Sequence, residues 1–330
     1  MNFVYIVLIN YNGWQHTIEC VDSIFNNSFQ NFKIVMVDNN STSGFEFEKE
    51  FYNRHSNIIK KLFAKKGQVN DFNISDEQII LIKNDSNDGF AAGCNCAFSF
   101  IRKQNDYEYI WLLGTDNVID KDALTNLIKY MKKHNKIGLC ASISLSYYQR
   151  DIIQCAGIGI YDKWIASSKH LLVNENINKL KKINFHEIIK IYKNNILYVY
   201  GNSMFFSKKL FVKLQNIPEN YFIYYEELEI MQQLKILNTK FGIALDSFVY
   251  HKEGSSTGGN AKSKSLIADY YSIRNRILFT KKYYKYCLPT VYLGLILAII
   301  NRIRRKQFAR IPMILKLMFN PYPKFNEVKL

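Results

Sequence analysis

The chain has 330 residues, 48% of them hydrophobic, with 44 Lys and Arg against 28 Asp and Glu, a net charge of +16. That apolar content builds a large core and excludes a disordered chain, and the length suits one large α/β domain with an appendage. The basic balance fits an anionic partner, such as nucleic acid, a membrane surface or a polyphosphate-bearing substrate.

In chain order, FVYIVLIN (3–10) is a continuous β-branched and aromatic run that ends in a polar turn, the pattern of a strand buried on both faces. It follows no basic start or small-residue cleavage site, so the N-terminus reads as a first strand rather than a signal peptide. Ile18, Val21, Ile24 and Phe25 then recur at helical spacing. FKIVMVDNNST (32–42) is a second buried strand, and a helix is expected near 45–54 within a polar, poorly periodic stretch, 45–75. QIILIKND (78–85) is a third strand, GFAAGCNCAFSFIRKQ (89–104) a turn feeding a helix, and YEYIWLLGTDN (107–117) a fourth strand. DKDALTNLIKYMKKH (120–134) reads as a helix with acids in its first turn and bases in its last. Residues 150–200 mix short strand-like pieces with a lysine-rich patch. YVYGNSMFFSKKLF (198–211) follows as strand, turn, then strand or helix, and YFIYYEELEIMQQLKIL (221–237) as a helix opened by acids. FGIALDSFVYH is a strand before a Gly/Ser loop. The six cysteines form no CxxC pair; four of them sit in apolar surroundings and read as core residues, and a reducing compartment is expected.

Alternating strands and helices up to about residue 145 predict a Rossmann-like, doubly wound parallel sheet flanked by helices. In such sheets ligands bind at the carboxyl ends of the strands. Polar clusters fall at those ends: Asn10 to Asn12, Asp38 to Ser41, Asn84 to Gly89, and Gly114 to Asn117. Each alone could be an ordinary turn; together they mark a site. GxGxxG and GxxxxGK[ST] are both absent, which argues against a dinucleotide-binding or P-loop protein.

What is present is an ordered set: INYNG, VDNNST, NDGFAAGCN, LLGTDNVID, GNSMFF, YYEELEIMQQLK, HKEGSSTGG and YYSIRNRILF. In wording and order this set resembles the family 2 glycosyltransferases, in particular the branch typified by bacterial rhamnosyltransferases and related polysaccharide enzymes. The likeness runs from about residue 4 to residue 280. It implies a GT-A fold and inverting transfer of a hexose or deoxyhexose. The donor would be a nucleoside-diphosphate sugar, UDP- or dTDP-linked, with a divalent cation, Mg²⁺ or Mn²⁺. The acceptor would be a glycan or lipid-linked saccharide in surface polysaccharide synthesis. The implied division is 1–280 for the transferase domain, with 1–120 as the nucleotide-sugar half and 121–280 as the acceptor half.

The resemblance also implies roles. Asn10 and Asn12 would line the nucleotide pocket, Asp38 and Asn39 would bind the base or ribose, and Asn87 and Gly89, with Asn95 behind them, would pack on the nucleoside. Gly114-Thr115-Asp116 takes the place of a DxD-like motif, with Gly114 where the first acid usually stands. Asp116 would anchor the metal, because Mg²⁺ often needs only one or two carboxylates beside phosphates and water. His251 would complete the metal shell. Glu227, the second of the Glu226-Glu227 pair, would be the base that deprotonates the acceptor. The loop GSSTGG would close over the diphosphate, which Arg274 and Arg276 would pair with. Other readings stand beside these. A helix-cap role for Asp116 is the alternative, although Asp120 is better placed for that. Glu226 and Glu229 compete with Glu227, acids being ordinary in a first helical turn. A structural role for His251, and solvated surface arginines, are the remaining alternatives.

The tail, 281–330, holds YCLPTVYLGLILAII (286–300) and then the basic NRIRRKQFAR. Fifteen residues are short of a membrane span, which needs about twenty. An amphipathic helix lying on the membrane is expected, with a buried hairpin or oligomer contact as the alternative. This places the protein in the cytoplasm, peripheral on the inner face of the cell membrane. A non-catalytic nucleotide-sugar or glycan-binding protein of the same fold is the alternative function. Nucleic-acid binding is not expected, since no groove-reading or stacking motif is present.

Overall fold

The computed structural model describes residues 3–65, 67–74, 77–182, 184–252, 265–323 and 325. The GSSTGG loop lies outside the described residues. In chain order the elements are β1 (Phe3–Asn10), α1 (Trp14–Phe25), β2 (Phe32–Asp38), α2 (Phe45–His55), β3 (Ile59–Lys65), β4 (Gln68–Val69), β5 (Ile79–Asn84), α3 (Phe90–Arg102), β6 (Tyr107–Leu113), β7 (Asn117–Ile119) and α4 (Ala123–Lys133). They continue as β8 (Ile137–Ser146), β9 (Ile153–Cys155), β10 (Ile158–Asp162), β11 (Ser167–His170), α5 (Phe185–Ile191), β12 (Ile196–Val199), β13 (Ser203–Ser207), α6 (Lys208–Phe211), α7 (Glu226–Ile236), β14 (Lys240–His251), α8 (Leu266–Tyr283), α9 (Leu288–Arg304) and α10 (Ile311–Phe319).

One large sheet runs β4-β3-β5-β2-β1-β6-β13-β8-β14-β7, with β9 on β8; β10, β11 and β12 form a separate small sheet. From β3 to β6 the pairs are parallel, as are β8 and β14, while β13 is antiparallel between β6 and β8. The expected sheet flanked by helices is therefore present. Its central strands are apolar throughout because helices cover both faces: every residue of β2 is buried. The core divides accordingly. One cluster lies under α1, α2 and α4, and another under α3 and α7. All six cysteines are buried in their free form.

Two strands in the expected arrangement differ. The stretch 45–75, read as polar, contains strand β3, whose only buried side chains are Leu62 and Ala64. Lys61 and Lys65 are exposed, and Lys60 is half-buried in an ion pair with Asp71 (3.0 Å); together the three mask the alternation. The run 107–117 breaks at Leu113 and resumes as β7, which pairs with β14 instead of β6. The tail is not a loose appendage. Leu295, Met313, Ile314 and Leu317 pack with Tyr270, Tyr271 and Ile277 of α8. Buried Asp269 of α8 accepts two bonds from Arg302 (2.8 and 2.9 Å) and one from Arg310 (2.8 Å).

Candidate active site

The polar ends of β1, β2 and β6 emerge side by side. Asn10 pairs with Asp38 in one ladder and Leu8 with Leu113 in the other. With neighbouring strands about 4.8 Å apart, the columns ending near Asp38 and Asp116 stand about 10 Å apart.

The β1 and β2 tips form a rigid knot. Buried Asn10 donates from Nδ2 to Asp38 Oδ1 (2.9 Å), and its Oδ1 accepts from the Thr17 hydroxyl (3.1 Å) and the Gly13 N–H (3.2 Å). Asp38, fully buried, also accepts from the Ser41 hydroxyl and lies 3.5 Å from Lys83 Nζ. Exposed Asn12 holds the next loop, its Oδ1 accepting from Thr42 N–H (2.7 Å) and Ser43 N–H (3.0 Å). Asn39 reaches the β5 tip: its Nδ2 donates to the Gly89 carbonyl (3.1 Å), and its Oδ1 accepts from Asn84 Nδ2 (2.8 Å). Asn84 Oδ1 is buried without a hydrogen-bond partner. It lines a polar cleft shared with Ser86, Asp88, Asn95 and Glu219.

Asn87 Oδ1 accepts from Gly89 N–H (3.1 Å) and sets the turn into α3. Gly89 is at φ 103°, and a Cβ there would come 2.3 Å from the Phe222 carbonyl oxygen. Only glycine lets these backbones meet. Phe90 N–H completes the clamp on Phe222 O at 2.7 Å. Asn95 ties the same side together, its Nδ2 donating to the Ile217 carbonyl and to Glu219, both at 2.8 Å.

At the β6 tip, Gly114, buried Thr115 and buried Asp116 form the turn into β7. Asp116 therefore caps no helix: β7 intervenes, and α4 begins at Ala123 behind an Asp120 whose Oδ1 accepts from Asp122 N–H (3.1 Å). Asp116 Oδ2 instead lies 3.4 Å from His251 Nε2, at the end of β14. His251 Nδ1 meets Gln154 Oε1 at 2.7 Å, while Gln154 Nε2 donates to the His251 carbonyl at 3.2 Å. That carbonyl accepts only, so it fixes the amide with Oε1 as acceptor, and Nδ1 carries the hydrogen. Nε2 is left facing a carboxylate oxygen. The arrangement fits a divalent cation, because metal-binding histidines are commonly oriented through the other ring nitrogen. Among the described residues no three His, Cys, Asp or Glu side chains gather. A cation held here would take its other oxygens from phosphate and water.

Gly114 has a physical explanation. A Cβ there would lie 2.7 Å from Asn117 Nδ2, 2.8 Å from Asn202 Oδ1 and 3.0 Å from Asp116 Oδ1. The place of a first acid is taken by a reciprocal amide pair: Asn117 Nδ2 donates to Asn202 Oδ1, and Asn202 Nδ2 to Asn117 Oδ1 (2.8 Å). Asn202 also donates to the Ser144 hydroxyl (3.1 Å), and its carbonyl accepts from Gly114 N–H (3.0 Å).

The neighbouring residue, Gly201, touches the acids of α7. Glu227 Oε2 lies 3.7 Å from the position of a Gly201 Cβ. The turn 200–202 thus touches Gly114 and Asn117, which flank Asp116 in sequence, on one side and Glu227 on the other. The three acids of α7 have separate fates. Glu229 is 1% exposed and accepts from Tyr221 OH (2.7 Å), Tyr283 OH (2.6 Å) and Lys282 Nζ (2.9 Å), a structural network that removes it as a base. Glu226 is buried with Oε1 unpartnered; burial, reinforced by Glu227, pushes its carboxyl up to about 8. Glu227 is half-buried beside the bridge, and burial raises its carboxyl above the usual range.

Ahead of these acids, Phe222, Tyr224 and Tyr225 all take positive φ (68°, 70° and 81°). Three such non-glycine residues are costly and persist only where neighbours impose them. Buried Asn275 does so, its Nδ2 facing the carbonyls of Tyr221 (3.1 Å), Ile223 (2.7 Å) and Tyr224 (3.2 Å). The aromatic run chiefly packs inward: Phe222 stacks on Tyr271 at 4.7 Å, and Tyr225 meets Phe279 at 5.4 Å.

Arg274, expected on phosphate, is 4% exposed and clasps the tail. It donates to the carbonyls of Pro323 (2.9 Å), Tyr322 (3.0 Å) and Asn220 (2.7 Å) and to Asn275 Oδ1 (3.1 Å). Arg276, half-buried beside Tyr225, has an Nε without a partner. Sequence reasoning placed Asn117 in the Gly114–Asn117 cluster but gave no role to Asn202, Gln154 or Asn275. GNSMFF and YYSIRNRILF signalled Asn202 and Asn275; nothing marked Gln154.

A sequence profile of glycosyl transferase family 2 matches residues 5–214, most of the chain. The chain belongs to glycosyl transferase family 2. No curated protein matches its sequence. Among solved structures it is similar to residues 1–349 of S. aureus TarS at 14% identity and TM-score 0.52, covering 97% of this chain and 81% of that one. A Pyrobaculum calidifontis mannosyltransferase with GDP-Man and Mn²⁺ is similar at 13% identity and TM-score 0.51, covering 96% and 85%. GalNAc-T7 with UDP, GalNAc and Mn²⁺ is similar at 16% identity and TM-score 0.55, covering 83% of this chain and 47% of that structure. These likenesses establish the GT-A fold, and the family makes this chain a glycosyltransferase.

Proposed function

We propose that this glycosyltransferase is inverting and metal-dependent. It moves a hexosyl or deoxyhexosyl unit from a UDP- or dTDP-linked donor to a hydroxyl of a glycan or lipid-linked saccharide. The role is surface polysaccharide synthesis, at the inner face of the cell membrane. The observation that carries this reading is the Asp116–His251 pair, joined to Glu227 through the Asn117–Asn202 bridge. Asp116 and His251 would hold the cation. When bound, the cation would neutralise the charge that gathers on the diphosphate. Glu227 would take the proton of the acceptor hydroxyl as that oxygen bonds to the anomeric carbon, opposite the departing diphosphate. Asp38, Asn39 and the unpartnered Asn84 Oδ1 would receive the base and ribose.

The test is thermal unfolding against a panel of nucleotide sugars with Mn²⁺. A donor at a hundred times its Kd stabilises by about 2.7 kcal/mol, a shift of a few degrees. Asp116→Ala should keep its fold, lose the Mn²⁺-dependent part of that shift and stop transfer. Full turnover by Asp116→Ala overturns the metal assignment. Donor binding without release of nucleoside diphosphate would instead support a non-catalytic binder.

A further inference from the structure

We propose that α9 and the β10–β11 turn together form a docking face for an anionic lipid surface, with α9 lying along that surface rather than crossing it. This deepens the membrane-side reading above and rests on it, but it uses no residue of the donor site.

α9 has two unlike sides. Val291 and Leu295 are fully buried, whereas Leu293, Ile296, Leu297 and Ile300 are 57%, 47%, 55% and 38% exposed. The outward set recurs at i, i+3, i+4 and i+7, one continuous stripe. Within residues 285–304 the most apolar window of 18 residues has a mean hydropathy of 1.6, and only 17% of it is buried. The β10–β11 turn, 120 residues earlier in the sequence, extends this stripe. Its Trp164 and Ile165 are 48% and 51% exposed. Thr290 of α9 donates to the Trp164 carbonyl, and the Trp164 and Tyr286 rings meet edge-on at 5.6 Å. Lys163 sits over the Tyr286 ring at 5.7 Å. Exposed Arg304, Arg305 and Lys306 close the other end. Apolar length between aromatic and cationic ends is the composition of an interfacial helix.

Two features select the occupant. From 270 to 326 the sequence holds twelve Lys and Arg and no acid. A second copy of this face would set basic ends against basic ends, whereas anionic lipid neutralises them. Residues 285–304 are long and apolar enough to cross a membrane, but packing disfavours it. A span would pull Leu295 from its core and Arg302 from Asp269.

The test uses the full chain and vesicle co-sedimentation without donor. Vesicles with added phosphatidylglycerol should bind about tenfold or more tightly than phosphatidylcholine alone, and salt should weaken binding. The exposed substitutions Trp164→Ser and Leu297→Ser with Ile300→Ser should each cost about tenfold, leaving unfolding and the nucleotide-sugar shift unchanged. Arg304→Gln with Arg305→Gln should abolish the lipid preference. Equal binding to both vesicles, no binding, or unaffected variants overturn the proposal. So does a concentration-dependent dimer that the same substitutions dissolve, which would assign the face to a second copy. Vesicle binding without any nucleotide-sugar shift would sink the donor reading alone.

Discussion

The two carboxylates that flank the 200–202 turn are placed in opposite ways. Asp116 sits at a strand tip, with His251 3.4 Å from one carboxylate oxygen and the Asn117–Asn202 amide pair beside it. Glu227 sits at the start of a helix behind three strained aromatic-run residues, and burial shifts its proton affinity upward. The first setting suits a fixed charge that anchors a cation. The second suits a group that must accept a proton near neutral pH. Family membership names the activity; under the proposed mechanism this contrast divides the labour between two acids.

The largest effect that would sharpen the contrast comes from Glu227→Gln. It should lower kcat by about 10²- to 10⁴-fold while the nucleotide-sugar shift stays intact. In the wild type, a base with a raised pKa is lost as pH falls through that raised value. The acidic limb of kcat should therefore lie above the ordinary carboxylate range. A limb at ordinary carboxylate pH, or a variant that turns over normally, would move the base elsewhere. Glu226, raised to about 8, stays neutral at pH 7 and spares Glu227 a like charge there.

A smaller effect tests the anchoring acid through its partner. Gln154→Leu removes the acceptor that turns the His251 ring, so affinity for Mn²⁺ should fall about 10- to 100-fold. Titration by the metal-dependent melting shift reads this directly, and an unchanged midpoint would leave His251 outside the shell. The smallest effect concerns Gly114. Restoring the familiar acid with Gly114→Asp should not tighten metal binding, because the Asn117–Asn202 pair fills that place. It should instead cost about 1–3 kcal/mol of stability from overpacking, read as a lower Tm. Tighter Mn²⁺ binding would break the argument that the second acid works alone.

Much of the donor half is legible in sequence because its signals are local. The runs 3–10 and 32–42 are apolar enough to be central strands, and their polar ends mark the site edge. Strand β3 was hidden by Lys60, Lys61 and Lys65, since charge near the sheet edge breaks the apolar pattern without breaking the strand. The tail's basic and apolar order was equally plain, but not that α9 would join a turn 120 residues earlier.

The sequence by itself determined the alternating strands and helices, the polar strand tips and the family. Tertiary structure alone decided which groups remain available to a substrate. Glu229 and Glu227 stand two places apart on one helix, yet only Glu229 is consumed, by Tyr221 and by two residues of α8. Arg274 is spent on the carbonyls of residues 220, 322 and 323, and the gap left by Gly114 is filled by Asn202. Helical and strand periodicity arises from neighbours a few residues apart. Most of these hydrogen-bond partners are distant in the chain (Tyr283 is 54 residues from Glu229, Pro323 49 from Arg274) and leave no spacing to read, so their choice is fixed only when the sheet and helices pack.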